Sequence, residues 1–579
     1  EIGRLSTELV IGFDTETTSL DPYSGRLRLL QLSAPDGVRV IDLDRFGDGD
    51  LKRGEVLEPL RKLLSAARPV KIAHNAKFDS KWTKHTLGVE LGGLFDTLLA
   101  SQLVAAGDQD ERHGLESVAS RFLNETIDKA ERLSDWSGEL SPAQLEYAAR
   151  DASVLLPLRE RLIERLKADA LLRCAQLEFE CVLPVASMEL AGIYLDEHRW
   201  REQLVIVERK RATLAEELQN MLAEESPQAS LFGGPTRMDI NLDSHVQLTK
   251  ALKRLGVPVP DSTRNWKLQP LAAEHKVIEK LLEYRTVQKA LTSYGENILN
   301  EINPKTGRIH ADFRQIGAPT GRFACTNPNI QQVPHAIEYR RCFRADPRGV
   351  PKKLVISDYS QIELRILADF TGDQGFIDAF NSGADLHRVT AAQVFGVPLD
   401  QVTKEQRDFA KRLNFGVVYG IGAQRFATMT GLSLTDSEDI LRRYFATYRQ
   451  LDAWLRDAAN RALRERTART ISGRLARFRF DPEDRQAASL AQRNGKNTPI
   501  QGSSADILKR ALRLLHDKLR DTSAQLINIV HDEVVVEAEA GQAEEIAKMV
   551  EDAMCAAGEE YVKKVPVKVE TEVADEWVK

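Results

Sequence analysis

Hydrophobic and polar positions change their rhythm several times along the chain. Residues 9–13 (LVIGF) and 29–33 are short apolar runs and predict buried strands. Helical patterns then alternate with short apolar runs up to about residue 167, the pattern of a compact α/β domain. Residues 198–224 are strongly charged at helical spacing, and 226–235 (SPQASLFGGP) predicts a loop from its Ser, Gly and Pro. Helical spacing returns over about 270–301 and dominates 366–520. Two further apolar runs, 353–357 (KLVIS) and 526–530 (LINIV), predict strands. No internal repeat or long low-complexity stretch interrupts this order.

At 579 residues the chain is too long for one core, so several domains are expected. Hydrophobic residues make up 42% and charged residues 29%, as in a globular chain, with no apolar run that spans a bilayer and no signal peptide. The five Cys form no C-x-x-C pair, which removes zinc-ribbon and thioredoxin-like readings and fits a reducing, intracellular compartment. The chain starts at Glu1, not Met, as a fragment or trimmed chain does. A net charge of -6 argues mildly against nucleic-acid binding, but a local basic surface outweighs the total. Composition therefore leaves the function to the motifs.

The segment IGFDTETTSL places Asp14 and Glu16 two apart at a strand end, so both side chains share a face. Such carboxylates repel unless a cation lies between them, although a solvated strand end has the same sequence. AHNAKFD adds Asn75 and Asp79, and YAARD adds Tyr147 and Asp151 at i and i+4. In this order the segments resemble the DEDD exonuclease superfamily, in its Tyr-containing branch, over roughly residues 1–165. The resemblance implies an RNase H-like domain in which Asp14, Glu16, Asp79 and Asp151 hold two Mg²⁺ ions, with Mn²⁺ as a substitute, and Tyr147 orients the attacking water. With all four acids intact, an active nuclease is expected. Asn75 falls beside the substrate position but equally suits a turn, and His74 is read as structural.

A second set of acids is spread wider. KLVISDYSQIELRILA runs from strand into helix with Asp358 at the junction, and LINIVHDEVVVE reads as a hairpin with His531, Asp532 and Glu533 at its tip. Between them, Arg407, Lys411 and Phe415 stand at i, i+4 and i+8, drifting about 40° per step on a helix, and Tyr419 continues the drift. Two cations followed by two aromatics suit a triphosphate and a base, and equally a solvated basic stripe beside core aromatics.

These segments resemble motifs A, B and C of the family A DNA polymerases, the bacterial DNA polymerase I type. PTGRFACTNPNIQQVP (319–334), DLH (385–387), RNGKNTPIQGSSAD (493–506), VLPVASMELAGIYLD (182–196) and the ending with Val565, Pro566 and Trp577 extend the likeness over essentially the whole chain. The implied architecture is an α/β multidomain chain: the exonuclease domain (1–167), then a right-hand polymerase with palm (168–197, 301–366 and 506–579), thumb (198–300) and fingers (367–505). The implied activity is primer extension with dNTPs in replication or repair, with proofreading of a single-stranded 3′ end. The partners are primer–template DNA and dNTPs, with no membrane and a monomeric chain.

By the same resemblance Asp358, Asp532 and the backbone carbonyl of Tyr359 bind two Mg²⁺ ions, and Glu533 lies near them. Arg407, Lys411 and His387 grip the triphosphate, and Lys411 is the general-acid candidate. Phe415 lies against the incoming nucleotide with Gln361 nearby, and Tyr419 guards the template side. Glu363 crowds the ribose 2′ position and rejects ribonucleotides. Arg322, Gln331, Arg493, Asn497, Gln501 and His531 line the primer–template minor groove, whose acceptors are nearly independent of sequence. Arg199, Arg201, Lys210 and Arg211 track the duplex, or are simply an exposed charged helix. LARFRF after Gly473-Arg474, Ser503-Ser504 after Gly502, and Arg388 after DLH depart from the family pattern without removing a catalytic group. The 5′ nuclease of many relatives has no counterpart in the sequence. A nuclease with a decayed polymerase, an accessory subunit without chemistry, and a reverse transcriptase or RNA polymerase remain rivals. Intact Asp358, Lys411 and Asp532 oppose the first two, and Glu363 opposes ribonucleotide incorporation.

Overall fold

Strand β1 (Val10–Thr17) lies at the centre of the first sheet because β2 (Leu27–Ala34), its antiparallel neighbour, is buried along its whole length and must be covered on both sides. A computed structural model describes all residues except 109, 128–130, 132, 133, 223, 230–234, 261, 335 and 579. The sheet order is β3 (Gly37–Asp42), β2, β1, β4 (Val70–Ala73), β5 (Leu94–Asp96), antiparallel on one side of β1 and parallel on the other. Helix α1 (Ala76–Leu87) follows β4 directly. Helix α2 (Pro142–Ala168) packs across β1, β2 and β3. Its start is fixed by a capping box, in which Ser141 and Gln144 satisfy each other's backbone N–H groups.

Helix α3 (Leu172–Ala191) joins the two halves, packing on α1 and on elements of the second half. Helices α4 (Glu197–Leu222) and α5 (Lys276–Tyr294) pack together. Between them the expected loop over 226–235 is narrower than its composition suggests. Residues 224–229 and 235–238 pair as an antiparallel hairpin, so backbone pairing overrides the local Ser/Pro signal, and 230–234 lie outside the described residues. A two-stranded hairpin follows, β6 (Asp312–Arg314) with β7 (Ala324–Thr326).

The second large sheet has β8 (Lys352–Tyr359) between β10 (Glu533–Glu539) and β11 (Val569–Ala574), with β9 (Gln525–Val530) outside β10. All its pairs are antiparallel, and the central position of β8 explains its buried Leu354, Val355 and Ile356. Helices α6 (Ile362–Thr371), α7 (Leu386–Phe395) and α8 (Lys404–Val418) stand beside the sheet's site-bearing end. Helix α9 (Arg485–Leu519) is continuous through residues 505 and 506, where a domain boundary is expected from sequence. Helix α10 (Ala543–Glu559) covers β8 and β11. Among the described residues no helix is long and apolar enough to cross a membrane.

Candidate active sites

The first site is assembled from β1, α1 and α2. Alternation along β1 puts Asp14 and Glu16 on one face. Helix α2 can approach that face because residue 12 is glycine: a Cβ there would lie 2.6 Å from the Ala152 carbonyl and 2.1 Å from the Ser33 hydroxyl, which itself donates to that carbonyl. This contact sets Asp151 beside the strand that carries Asp14. Asp79 on α1 accepts a 2.6 Å hydrogen bond from Thr15. Asp96, at the end of β5, accepts from the backbone N–H of Asn75 (3.2 Å) and Ala76 (2.8 Å), which fixes the turn into α1.

Burial, then Glu16, Asp79 and Asp151, hold the Asp14 carboxyl well above the usual carboxylate range. Burial, then Asp151 and Asp79, push Glu16 up to about 8, and burial pushes Asp79 up to about 7. Burial and the Asp151 charge also raise the Tyr147 phenol, which stays protonated and can donate. Among the described residues no three such side chains converge on one ligating point. The burial and mutual repulsion of an all-oxygen set are nevertheless what a hard divalent cation relieves, so the residues fit the group. Asp14, Asn75, Tyr147 and Asp151 line a cavity of about 910 Å³, whose far wall includes Asp312, Arg314 and Asn327. His74 lines it too, with Nδ1 2.9 Å from the Thr97 hydroxyl.

The second site lies at the end of β8. Asp358 pairs in register with Glu533 of β10 and Glu570 of β11, and the two-residue turn His531-Asp532 joins β9 to β10 beside it. Burial, then Asp358, pushes Asp532 up to about 7. Both acids line a cavity of about 850 Å³. Tyr359, Gln361, Glu363, His387, Arg407, Lys411, Phe415, Tyr419, Arg322, Gln331 and His531 line the same cavity. The Tyr359 ring is buried, its hydroxyl donating to the Met554 carbonyl, so Tyr359 meets the cavity through its backbone. Glu533 turns its carboxylate away, accepting a 2.8 Å bond from the Trp577 indole.

Fixed contacts orient the cavity wall. Glu363 is ion-paired with Arg322 and accepts from the Tyr419 hydroxyl at 2.9 Å. Asp385 caps α7 and accepts from Arg407 Nε at 2.6 Å. His387 is buried, and desolvation lowers it to about 4 against the pull of Asp385. The Asn414 amide donates to His387 Nδ1 at 3.1 Å, while Asn414 Oδ1 accepts from the Tyr444 hydroxyl at 3.0 Å. The neutral ring therefore carries its proton on Nε2.

Several of the residues expected along the duplex lie outside this cavity. Arg493, Asn497 and Gln501 lie on α9 outside this cavity, with Arg493 beside Gly420 at the end of α8. Arg199, Arg201 and Lys210 are ion-paired with Glu576, Glu197 and Glu283. Sequence reasoning missed Asp96, Asn414 and Glu570. Asp96 has a signal, an Asp directly before the apolar helical run TLLASQLV. Asn414 has none, because its partners are 27 and 30 residues away.

DNA polymerase family A matches residues 208–579, close to two thirds of the chain and the part that builds the second cavity. The chain belongs to DNA polymerase family A. A second family, described as 3′-5′ exonuclease, matches residues 2–167 of this family A chain, the part that carries Asp14, Glu16, Asp79, Tyr147 and Asp151. The chain is 34% identical to "DNA polymerase I" of Aquifex aeolicus, over 100% of itself and 97% of that relative. It is 31% identical to "DNA polymerase I" of Chloroflexus aurantiacus over 100% of itself, but spans only 62% of that relative. It is 33% identical to "DNA polymerase I, thermostable" of Thermus aquaticus over 68% of itself and 47% of that protein. The structure matches the "POL domain of Pol1 from M. smegmatis complex with DNA primer-template and dNTP", with a TM-score of 0.85, 27% identity and coverage of 100% and 97%.

Proposed function

We propose that this family A chain extends a primer 3′-hydroxyl on a DNA template with dNTPs, and removes misplaced 3′ nucleotides at a separate hydrolytic site. The observation that carries this is the wall of one cavity: Asp358 and Asp532, with Arg407, Lys411 and Phe415 along a single helix, α8, and Tyr419 at its C-cap. Carboxylates beside cations and rings provide for a metal, a triphosphate and a base together.

Asp358 and Asp532, with the Tyr359 carbonyl, would hold two Mg²⁺ ions for synthesis, and Asp14, Glu16, Asp79 and Asp151 two more for excision. Bound there, the cations supply Lewis acidity to an attacking oxygen and neutralise charge on the leaving one. Arg407 and Lys411 bind phosphate oxygens, and Lys411 gives a proton to departing pyrophosphate. His387 donates from Nε2, as its neutral tautomer requires. Phe415 stacks on the incoming nucleotide, with Gln361 beside it and Tyr419 on the template side. Glu363, held by Arg322 and Tyr419, cannot swing away from a ribose 2′-hydroxyl, and this rigidity makes it selective for deoxynucleotides. Arg322, Gln331, Arg493, Asn497, Gln501 and His531 contact the primer–template duplex. In the first site Tyr147 orients water against the scissile phosphate, and Asn75 steadies the 3′ nucleotide.

A labelled primer–template with Mg²⁺ tests both halves. Extension is expected with dNTPs and shortening without them. Asp532→Ala should abolish only extension, and Asp14→Ala only shortening. A variant that keeps its assigned activity would show that assignment to be wrong.

A further inference from the structure

Helix α1 carries an acid on one face and two lysines on another. Lys77 and Lys81 are four apart and share a face, while Asp79 lies about 200° round the helix from Lys77. Asp79 faces β1, where Thr15 holds it. Lys77 reaches out of the exonuclease region altogether. Its ammonium donates to Glu189 Oε1 at 2.6 Å, to the Phe313 carbonyl at 2.8 Å and to Asp312. Lys81 Nζ lies 2.7 Å from the other oxygen of Glu189. Glu189 is buried, and its Oε1 also accepts from the Phe313 N–H at 2.7 Å.

An ammonium has three N–H donors, and here all three have acceptors within the protein. None is left for a DNA phosphate, although Lys77 stands at the wall of the exonuclease cavity. The acceptors belong to α3 and β6. Strand β6 pairs with β7, and the connection between them carries Arg322 into the polymerase cavity. One short hairpin is thus tied to the Asp79 helix at one end and serves the synthetic site at the other.

We infer that Lys77 is a positioning residue for excision: through Glu189, Asp312 and the Phe313 carbonyl it anchors α1 to the polymerase region and so sets the place of Asp79. The inference rests on the exonuclease reading above. The buried ammonium is held firmly, because it cannot leave its three acceptors without being stranded as an unpaired buried charge. Without it α1 keeps its packing on α3 and the Lys81–Glu189 pair but loses its tie to β6, and Asp79 can drift from Asp14 and Asp151. A shift of about 1 Å is enough to cost about 100-fold in rate.

The test compares Lys77→Met, Lys77→Arg and Asp312→Asn. It measures hydrolysis of a saturating single-stranded oligonucleotide, extension of a matched primer, and oligonucleotide binding in EDTA by fluorescence anisotropy. Lys77→Met should slow hydrolysis at least about tenfold, with Asp312→Asn slowing it less and Lys77→Arg restoring most of it. Extension and binding should stay within about twofold, since Lys77 touches neither DNA nor nucleotide. Normal hydrolysis in Lys77→Met overturns the inference. So does a parallel loss of extension, or a tenfold loss of binding, which would make Lys77 a DNA contact. If Lys77→Met shows no cooperative unfolding, Asp312→Asn carries the test alone, because that carboxylate is 44% exposed and its loss is mild. A wild-type chain unable to shorten the oligonucleotide overturns the exonuclease reading and this inference together. An active wild type with unaffected variants overturns the inference only.

Discussion

Asn75, Gln361 and His531 have positive φ values of 67°, 57° and 56°, and each lies within four residues of a proposed metal ligand. A side chain in the left-handed region costs about 1–2 kcal/mol, so three such residues beside two cavities mark places where the chain is bent to aim its neighbours. Asn414 is the buried counterpart of this aiming. It fixes the His387 tautomer through Nδ1 and takes hydrogen bonds from Tyr444 and Thr390 through Oδ1. Asn414→Leu keeps the volume and removes every one of these bonds. It should cost about 1–3 kcal/mol of stability, because buried donors lose their partners. Steady-state kinetics should show a several-fold higher KM for dNTP with primer binding unchanged, since the ring can then turn Nε2 away from the cavity. An unaltered KM for dNTP would remove His387 from the phosphate contacts.

At the scale of elements, both candidate sites use the end of a central strand to carry acids and a nearby helix or turn to answer it. A close fit of this kind is that of β1 and α2 at Gly12. Gly12→Ala places a methyl group 2.6 Å from the Ala152 carbonyl, so α2 must retreat. Overpacking of this kind costs about 1–3 kcal/mol. Because α2 carries Tyr147 and Asp151, shortening of a primer should fall at least about tenfold while extension persists. Equal loss of both activities, measured on one preparation, would mean the damage is not local. This geometry also explains what sequence could and could not reveal. Asp14, Glu16, Asp358 and Asp532 were legible because each ends an apolar run of strand character, and Tyr147 and Asp151 because i, i+4 spacing needs no tertiary knowledge. Residues 226–229 and 235 misled because turn-forming residues also occupy paired strands of a short hairpin. Asn414, Glu570 and the Lys77 contacts were invisible, since what defines them is a partner far away in sequence. Glu533 shows the reverse: the sequence sets it beside Asp532, yet strand alternation turns it onto Trp577.

At the scale of the whole molecule, the two regions meet along α3 and through charged contacts whose strength depends on pH. Glu90, just beyond α1, accepts from Lys84 at 2.8 Å and from His516 of α9 at 3.3 Å. The His516 hydrogen bond first, then Lys84, holds the Glu90 carboxyl down at about 2, against 4.5 for a free glutamate. The folded carboxyl binds its proton less readily than the unfolded one. Its stabilisation is therefore complete above about pH 4.5 and is lost as the pH falls toward 2. The side chain is 26% exposed, so solvent screening trims the effect to about 2 kcal/mol. Glu90→Gln should accordingly lower the unfolding midpoint at pH 7, and the gap to wild type should narrow steadily between pH 4.5 and pH 2.5. Taking the difference between the two proteins cancels the other carboxylates that titrate over the same range. Differential scanning calorimetry across that range reads the gap directly. A gap that stayed constant down to pH 2.5 would mean that Glu90 contributes by packing alone, and that its charge does not tie the exonuclease region to α9.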